Sequence, residues 1–166
     1  MKAIVAVDKS WGIGKDNDLL FSIPDDMKFF RSTTLNKVVV MGRKTLQSFP
    51  NSKPLKNRVN VVISSTVKEI ENAIVVPDFK ALKKELEKYV DEDVFVIGGA
   101  SVYNALLPYC ETAMVTKVDA DGGATAFIDN LDENEGWELS FSSEPLISNG
   151  YKITFNTYVN KQIKKL

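Results

Sequence analysis

One carboxylate in this sequence follows a helix start and shares a helix face with an aromatic ring. Ser22 stands three residues before Asp25, with Pro24 between them, which predicts that a helix begins here. Asp26 and Phe30 are four residues apart and therefore project from one face of that helix. A carboxylate beside aromatic rings suits a planar, amidine-like heterocycle, since it accepts two hydrogen bonds while the rings pack against the plane. The alternative is that both aspartates only favour the positive end of the helix.

Two junctions between a strand and a helix contain glycine and could hold phosphates. The first, Gly42–Thr45, joins a Val-rich strand to a helix that begins with Arg43 and Lys44. The second, Gly98–Val102, follows another apolar strand with two consecutive glycines. Helix-start N–H groups, glycines that allow close approach and cationic side chains are typical of phosphate sites. Each junction alone is typical of an ordinary turn, but two in one small domain predict a dinucleotide ligand.

Two hydroxyls, Ser64 and Ser65, follow the strand after the first junction. Together with Arg43 they could bind a phosphate on the adenosine ribose, which favours NADPH over NADH. The sequence contains neither the Gly-x-Gly-x-x-Gly fingerprint nor a Gly-x-x-x-x-Gly-Lys-Ser/Thr phosphate loop. The prediction of a dinucleotide therefore depends on the two glycine junctions.

The composition excludes several kinds of chemistry and partner. The sequence has no histidine, which removes the commonest general base and every His-based triad or metal site. A single cysteine, Cys110, cannot form an internal disulfide, as expected in a reducing cytoplasm. Lys and Arg total 21 against 22 Asp and Glu, so no overall positive field favours nucleic acid or an anionic membrane. With no signal-peptide pattern or membrane-spanning stretch, we expect a cytoplasmic protein without a metal.

Apolar runs alternate with helical segments along most of the chain. Four such runs, rich in Val and Ile, occupy residues 4–7, 37–41, 59–64 and 94–99. Their near-continuous apolar character is typical of a parallel sheet covered on both faces. Phe79–Val90 has the periodicity of an amphipathic crossover helix. Near the C-terminus, WELSFSS and YKITFNTYV predict a long antiparallel pair. No linker or repeat divides the chain, which predicts one domain over residues 1–166.

Six segments, taken in order, resemble the dihydrofolate reductase family over essentially the whole chain: AVDKSWGIGKDNDLL, IPDDMKFF, VVVMGRKT, PLKNRVNVVISS, VFVIGGASVY and VTKVDA. The resemblance implies an α/β fold in a single domain, a doubly wound, mainly parallel eight-stranded mixed sheet with flanking helices and a C-terminal antiparallel hairpin. It also implies a monomeric oxidoreductase of one-carbon metabolism, which transfers a hydride from NADPH to 7,8-dihydrofolate to give 5,6,7,8-tetrahydrofolate.

The resemblance assigns roles to individual residues of this chain. Asp26 is expected to bind N3 and the 2-amino group of the pterin, with Thr116 beside it. Arg58 is expected to pair with the α-carboxylate of the glutamate tail. The other residues expected around the substrate are Ile4, Val5, Phe30, Phe49, Leu55, Ile97 and Tyr103. Those expected around NADPH are Ala6, Ile13, Gly14, Gly42, Arg43, Lys44, Thr45, Ser64, Ser65, Gly98, Gly99, Ala100, Ser101, Val102 and Tyr103, with a cis peptide between Gly98 and Gly99.

The expected mechanism depends on positioning more than on acid–base groups. Hydride passes to C6 of the pterin while N5 gains a proton. No side chain is obviously aimed at N5, so water is the expected proton donor, and ionised Asp26 would favour the cationic pterin. Lys15–Leu20 matches the family's mobile loop over the nicotinamide, with Leu19 as its apolar tip.

Two departures from the family pattern concern this loop and the water. Leu20-Phe21 stands where most relatives have Pro-Trp, so Phe21 keeps the bulk of the ring but lacks the indole N–H that helps to order a water. The frequent Gly-Asp-Thr reads Gly123-Ala124-Thr125 here, so a carboxylate that would tether the mobile loop is missing. We therefore expect a different water network and a different balance of loop closure.

Two other functions compete with this interpretation. The first is the NADPH-dependent reductase of a pyrimidine intermediate in riboflavin synthesis, which shares the fold and the cofactor but reduces a ribosyl phosphate. The segment IPDDMKFF and Arg58 argue against it. The second is a non-catalytic nucleotide-binding regulator, which would leave Asp26 beside Phe30 unexplained.

Overall fold

The computed structural model describes residues 1–166 throughout. The strands are β1 (Lys2–Val7), β2 (Gly12–Lys15), β3 (Asp18–Leu19), β4 (Val38–Gly42), β5 (Val59–Ile63), β6 (Ile74–Val76), β7 (Val94–Gly98), β8 (Thr112–Val118), β9 (Ala126–Phe127), β10 (Trp137–Ser142), β11 (Leu146–Ser148) and β12 (Tyr151–Asn160). The helices are α1 (Pro24–Thr34), α2 (Arg43–Ser48), α3 (Phe79–Leu86) and α4 (Ala100–Leu106).

The main sheet runs through eight strands in the order β10-β12-β8-β1-β7-β4-β5-β6. The strands from β8 to β6 pair in parallel, whereas β12 pairs antiparallel with both β8 and β10. The predicted mixed eight-stranded sheet is therefore confirmed. A short strand, β11, also pairs with β12, and a separate small sheet has the order β3-β2-β9. This second sheet is not among the elements predicted from the sequence.

Helices cover both faces of the main sheet. The chain moves outward from β1 to β4 and β5 through α1 and α2, then returns to β7 and β8 through α3 and α4. Because parallel crossovers are right-handed, outward and return helices lie on opposite faces. Val40 accordingly belongs to the core cluster of Leu82 and Leu106, from α3 and α4. Its neighbour Met41 packs with Leu46 of α2 on the other face. The expected doubly wound arrangement is confirmed.

One predicted helix start signal and one predicted helix end differ from the structure. Helix α1 starts at Pro24 as expected, but Ser22 does not cap it, since the capping position is Ile23. The backbone N–H of Asp25 instead donates to Ser148 Oγ at 3.3 Å, from the end of β11. The helix predicted over Phe79–Val90 ends at Leu86, because the chain then tightens into turns with hydrogen bonds three residues apart. Side-chain periodicity continues through those turns and therefore misplaces the helix end.

The predicted C-terminal antiparallel pair is present but interrupted. The ten residues of β12 pair first with β11 and then with β10, so two short strands share one long partner. The register shifts between Leu139 and Phe141, which leaves Ser140 as a bulge. The longest helix, α1, has 11 residues, and none of the helices has the length and apolar character to cross a membrane.

Candidate active site

The carboxyl ends of four neighbouring parallel strands, β8, β1, β7 and β4, meet at one edge of the sheet. Ala6 on β1 lies directly beside Thr116 on β8. Met41 on β4 pairs with Gly98 on β7. In open α/β sheets, ligands bind outside the carboxyl ends of the strands, where the winding direction changes. The topology thus brings together segments that the sequence analysis assigned separately to substrate and cofactor.

Asp26 lies on α1 with its carboxylate turned toward β8. Thr116 Oγ1 donates a hydrogen bond to Asp26 Oδ1 at 2.6 Å, and the Thr116 residue is only 2% exposed. Burial raises the pKa of Asp26, and the hydrogen bond from Thr116 opposes that rise. Asp26 forms no ion pair within the chain. A partly buried carboxylate without a cation partner is suited to bind a cationic or multiply donating ligand.

Tyr103, in the middle of α4, is hydrogen-bonded to the backbone of β1. Its hydroxyl donates to the Ile4 carbonyl at 2.6 Å, in the protein interior. Burial and the nearby negative charge of Asp26 both raise the pKa of Tyr103. The phenol therefore stays protonated and keeps donating. Of the strand residues expected at the site, Val5 is partly buried and packs against the core cluster on the face of α3 and α4.

Apolar side chains expected around the substrate gather on the α2 face of the sheet. Phe49, Leu55 and Ile97 pack against the cluster that contains Leu46. Phe30 is half-buried on α1, on the face that also carries Asp26. These positions are compatible with an apolar wall beside the carboxylate.

Arg58 lies in a loop that a buried asparagine holds in shape. Asn60 Oδ1 accepts from the Leu55 N–H at 3.0 Å, and Asn60 Nδ2 donates to the carbonyls of Leu55 and Arg58 at 2.9 and 3.2 Å. Arg58 Nε is buried without a hydrogen-bond partner. Burial and then the positive charge of Arg31 lower the pKa of Arg58. A guanidinium held near a second cation, with an unmet buried donor, is suited to bind an anion.

The two glycine junctions face each other. A Cβ atom added to Gly98 or Gly99 would lie 3.3 or 3.4 Å from Thr45 Oγ1, and one added to Gly42 would lie 3.3 Å from Val102 Cγ2. Gly98 has a φ of +129°, which side chains rarely adopt, and the peptide between Gly98 and Gly99 is cis, as expected. The backbones of both junctions therefore form one narrow surface.

Polar side chains border this surface. Arg43 is half-buried, whereas Lys44, Ser65 and Ser101 are exposed. The Ser64 hydroxyl accepts from the backbone N–H of Val67 at 3.0 Å, so part of its hydrogen-bonding capacity is already used. None of the chain's three arginines forms an ion pair, since all five pairs use a lysine or the N-terminus.

The segment expected to be a mobile loop forms a β-hairpin. Lys15 pairs with Asp18 across Asp16 and Asn17, whose φ values of 51° and 65° fit a tight two-residue turn. Leu19 is 72% exposed, as expected for an apolar tip. The strand before the turn carries Ile13 and Gly14 and pairs with β9.

A hydroxyl tethers this hairpin where the expected carboxylate is missing. The N–H of Asp16 donates to Thr125 Oγ1 at 3.3 Å, and the N–H of Thr125 donates to the Gly14 carbonyl at 2.9 Å. The ring of Phe21 lies 4.9 Å from that of Tyr151, between ring centroids. Thr125 and Asn60 are not among the residues predicted from the sequence, although a lone polar residue inside VNVVI is a usable signal for Asn60.

The comparisons with known proteins agree on one family. A family model described as dihydrofolate reductase matches residues 1–160. The dihydrofolate reductase of Bacillus subtilis is 33% identical over 165 residues, which cover 98% of this chain and 95% of that protein. The structure of Enterococcus faecalis dihydrofolate reductase, complexed with NADP(H) and RAB-propyl, superposes with a TM-score of 0.85 at 29% identity, covering 96% of this chain and 95% of the other.

Longer relatives also match. The bifunctional dihydrofolate reductase-thymidylate synthase of Daucus carota is 33% identical over 178 residues, covering 95% of this chain and 33% of that protein. This chain thus spans about a third of the length of the bifunctional relative. The family model and the identity across nearly the whole Bacillus relative show that the chain belongs to the dihydrofolate reductase family.

Proposed function

We propose that this chain catalyses the NADPH-dependent reduction of 7,8-dihydrofolate to 5,6,7,8-tetrahydrofolate. The observation that carries the proposal is the Asp26 carboxylate, which is partly buried, bound by Thr116 at 2.6 Å and free of any cation partner in the chain. Such a group can accept from N3 and the 2-amino group of a pterin and favour its protonated form. The complex of the Enterococcus faecalis relative with NADP(H) supports the cofactor.

The substrate would lie between α1 and the Arg58 loop. Asp26 and Thr116 bind the pterin edge, and Phe30, Phe49 and Leu55 hold the rings, while the strand ends at Ile4, Val5, Ile97 and Tyr103 border the pocket. Arg58 binds the α-carboxylate of the glutamate tail, which its unpartnered Nε supports. Leu19 and Phe21 cover the reacting atoms and control the entry of the water that protonates N5.

The two facing glycine junctions fit a dinucleotide. Their backbones allow close approach of a pyrophosphate, and Arg43 brings a half-buried cation without a carboxylate partner. When bound there, NADPH supplies the hydride. The residues that hold it are Ala6, Ile13, Gly14, Gly42, Arg43, Lys44, Thr45, Ser64, Ser65, Gly98, Gly99, Ala100, Ser101, Val102 and Tyr103. The parallel pairing of Ala6 with Thr116 supports a close approach of nicotinamide and pterin.

We further propose that residues 1–166 act as a single domain, as a cytoplasmic monomer that takes a small-molecule substrate and binds neither nucleic acid nor a membrane surface. The near balance of 21 basic and 22 acidic side chains supports the absence of a polyanion partner. The lone Cys110 is buried, which is compatible with a reducing compartment.

The test of the activity is the loss of NADPH absorbance in the presence of dihydrofolate. The pyrimidine ribosyl phosphate of riboflavin synthesis serves as the competing substrate, and its reduction in place of dihydrofolate would assign the alternative activity. Arg43→Ala tests the cofactor site, because losing the cation should weaken NADPH binding by about tenfold or more and leave NADH binding nearly unchanged. Fluorescence titration of both cofactors measures this ratio, and an unchanged ratio would remove the 2′-phosphate assignment.

A further inference from the structure

Asp8, at the end of β1, is a buried carboxylate that the proposed reaction does not use. The residue is 3% exposed. Its Oδ1 accepts from the N–H groups of Ser10 and Gly12 at 2.9 and 2.8 Å, and its Oδ2 accepts from the N–H of Gly122 at 3.2 Å. No cation pairs with it. In the absence of a cation, converging N–H donors of this kind stabilise a buried carboxylate.

The two oxygens of Asp8 join segments that are far apart in the sequence. Ser10 lies in the turn that leads into β2, and Gly12 is the first residue of β2. Gly122 belongs to the loop before β9, 114 residues away from Asp8. The two segments also touch directly, since a Cβ at Gly12 would collide with the methyl group of Ala124. The N–H of Lys9 adds a backbone bond to the Ala120 carbonyl at 3.1 Å.

The hydrogen bonds that Asp8 accepts from Ser10, Gly12 and Gly122 form what we call the Asp8 clamp. The loop on the Gly122 side of this clamp supports the side chains that lead from the hairpin into α1. A Cβ added to Gly122 would lie 3.0 Å from both Leu20 Cδ1 and Phe21 Cζ. These side chains therefore pack against the backbone of Gly122. On the near side, Gly12 begins the strand that carries Ile13 and Gly14. A shift of either segment moves a wall of the proposed nicotinamide and pterin pocket.

We propose that Asp8 is a positioning residue for hydride transfer. Its carboxylate fixes the turn before β2 and the loop at Gly122 in one arrangement, and thereby sets where Ile13, Gly14 and Phe21 stand around the reacting atoms. This inference rests on the proposed reductase activity. Small displacements near reacting atoms reduce rates strongly, so a clamp that touches neither substrate nor cofactor still changes the chemical step.

The test compares Asp8→Asn with Asp121→Asn. Asparagine keeps one acceptor oxygen at position 8 but replaces the other oxygen with an NH2 group. The backbone N–H groups that donated to the replaced oxygen then face a donor instead of an acceptor. Asp121 is a matched control, because its Oδ1 accepts only a local bond from the Gly123 N–H at 3.0 Å in the same loop. Asp8→Asn should slow single-turnover hydride transfer per folded molecule by roughly 10–100-fold. The KM for dihydrofolate should change little, and Asp121→Asn should behave like the parent.

Amide hydrogen exchange followed by NMR provides a readout that does not depend on turnover. In Asp8→Asn the Gly12 and Gly122 amides should exchange at least about tenfold faster, and residues 19–21 should lose protection with them. A lower melting temperature with parental hydride transfer and parental KM would show a purely structural role and overturn the proposal. If the parent itself fails to reduce dihydrofolate, the proposed function fails, and the exchange data still decide whether the clamp orders the Leu20-Phe21 segment.

A second variant covers the case in which Asp8→Asn does not fold. Gly122→Ala keeps the clamp and adds a methyl group 3.0 Å from Leu20 and Phe21. It should therefore slow hydride transfer with little change in the KM for dihydrofolate. Parental hydride transfer in this variant would show that the packing of Leu20 and Phe21 against Gly122 does not control the rate of the chemical step, and the proposal would be overturned.

Discussion

Two carboxylates of this chain each accept a hydrogen bond from a hydroxyl at 2.6 Å, yet their pKa values move in opposite directions. Asp26 accepts from Thr116, and Asp132 accepts from Tyr158. Burial raises the pKa of Asp26 more than its hydrogen bond lowers it. Burial also acts to raise the pKa of Asp132, but the bonds from Lys117 and Tyr158 outweigh it, and the pKa falls.

The difference between the two sites lies in the cation. Lys117 Nζ lies 2.7 Å from Asp132 Oδ2 and stands over the rings of Trp11 and Tyr158, at 5.4 and 5.5 Å from their centroids. The charge of Asp132 is thus met within the chain. Asp26 has no cation partner, so apart from the hydrogen bond from Thr116 its charge is compensated only when a ligand supplies donors. The same carboxylate and hydroxyl pair is structural in one place and suited to binding in the other.

The largest effect should come from Asp26→Asn. The substitution preserves size but removes the charge that favours a protonated pterin, and losing one such contact typically lowers the rate by about 10²–10³. Asp25→Asn, one residue earlier and exposed, is the matched control and should retain parental activity. NADPH affinity should hardly change, because the glycine junctions are intact. A pH–rate profile with dihydrofolate measures the effect, and near-parental activity at neutral pH would make Asp26 only a helix-end charge.

Arg58→Leu should have the next largest effect. Hydrogen bonds to charged groups contribute about 1.5–3 kcal/mol, so the KM for dihydrofolate should rise by about tenfold or more. A tail-less dihydropterin should be nearly unaffected. Lys56→Leu, in the same loop and exposed, controls for the loss of a positive charge. Equal losses with both substrates would mean that Arg58 only supports the fold of its loop.

Asp132→Asn tests the structural half of the comparison through stability. The folded-state pKa of Asp132 lies below its ordinary value of 3.8, so its contribution is present at neutral pH and is lost as the pH falls through the folded-state pKa. The side chain is 44% exposed, and exposed pairs contribute at most about 1 kcal/mol. The melting temperature at pH 7 should therefore fall by about 1–4 °C. Glu133→Gln is the neighbouring control. If the difference in melting temperature between Asp132→Asn and the parent stays as large at low pH, the ionised carboxylate of Asp132 is not the cause of the stabilisation.

Features that depend on nearby residues were predictable from the sequence. The face that places Asp26 with Phe30 follows from helix periodicity, and the junctions at Gly42 and Gly98 follow from a strand, a glycine and a helix start. The alternation of strands and helices predicts the mainly parallel sheet, and one-handed crossovers then place the helices relative to its faces, but neither fixes the order of the strands.

Features made by distant pairs were not predictable in the same way. The Asp25 N–H donates to Ser148, 123 residues away in the sequence, and the Asp16 N–H donates to Thr125, 109 residues away. Sequence periodicity carries no information about such partners. The hairpin at Asp16 is an intermediate case, because its two-residue turn has local signals, but the strand that completes the small sheet comes from β9. Loop contacts around the site are therefore the part of the structure that the sequence leaves open.

The smallest effect, and the sharpest form of the comparison, is the stability of Asp26→Asn. The folded-state pKa of Asp26 lies above its ordinary value of 3.8. Above that folded-state pKa the ionised carboxylate therefore lowers the free energy of unfolding, and this destabilisation decreases as the pH falls. Asparagine keeps an acceptor for Thr116 and removes the charge. The melting temperature at pH 7 should rise by roughly 1–2 °C, and the gain should disappear near pH 3.

The same Asp-to-Asn change thus stabilises at position 26 and destabilises at position 132. Scanning calorimetry of both variants across this pH range measures the two signs, and a lower melting temperature for Asp26→Asn at pH 7 would show that the chain already meets the charge of Asp26, as it does at Asp132.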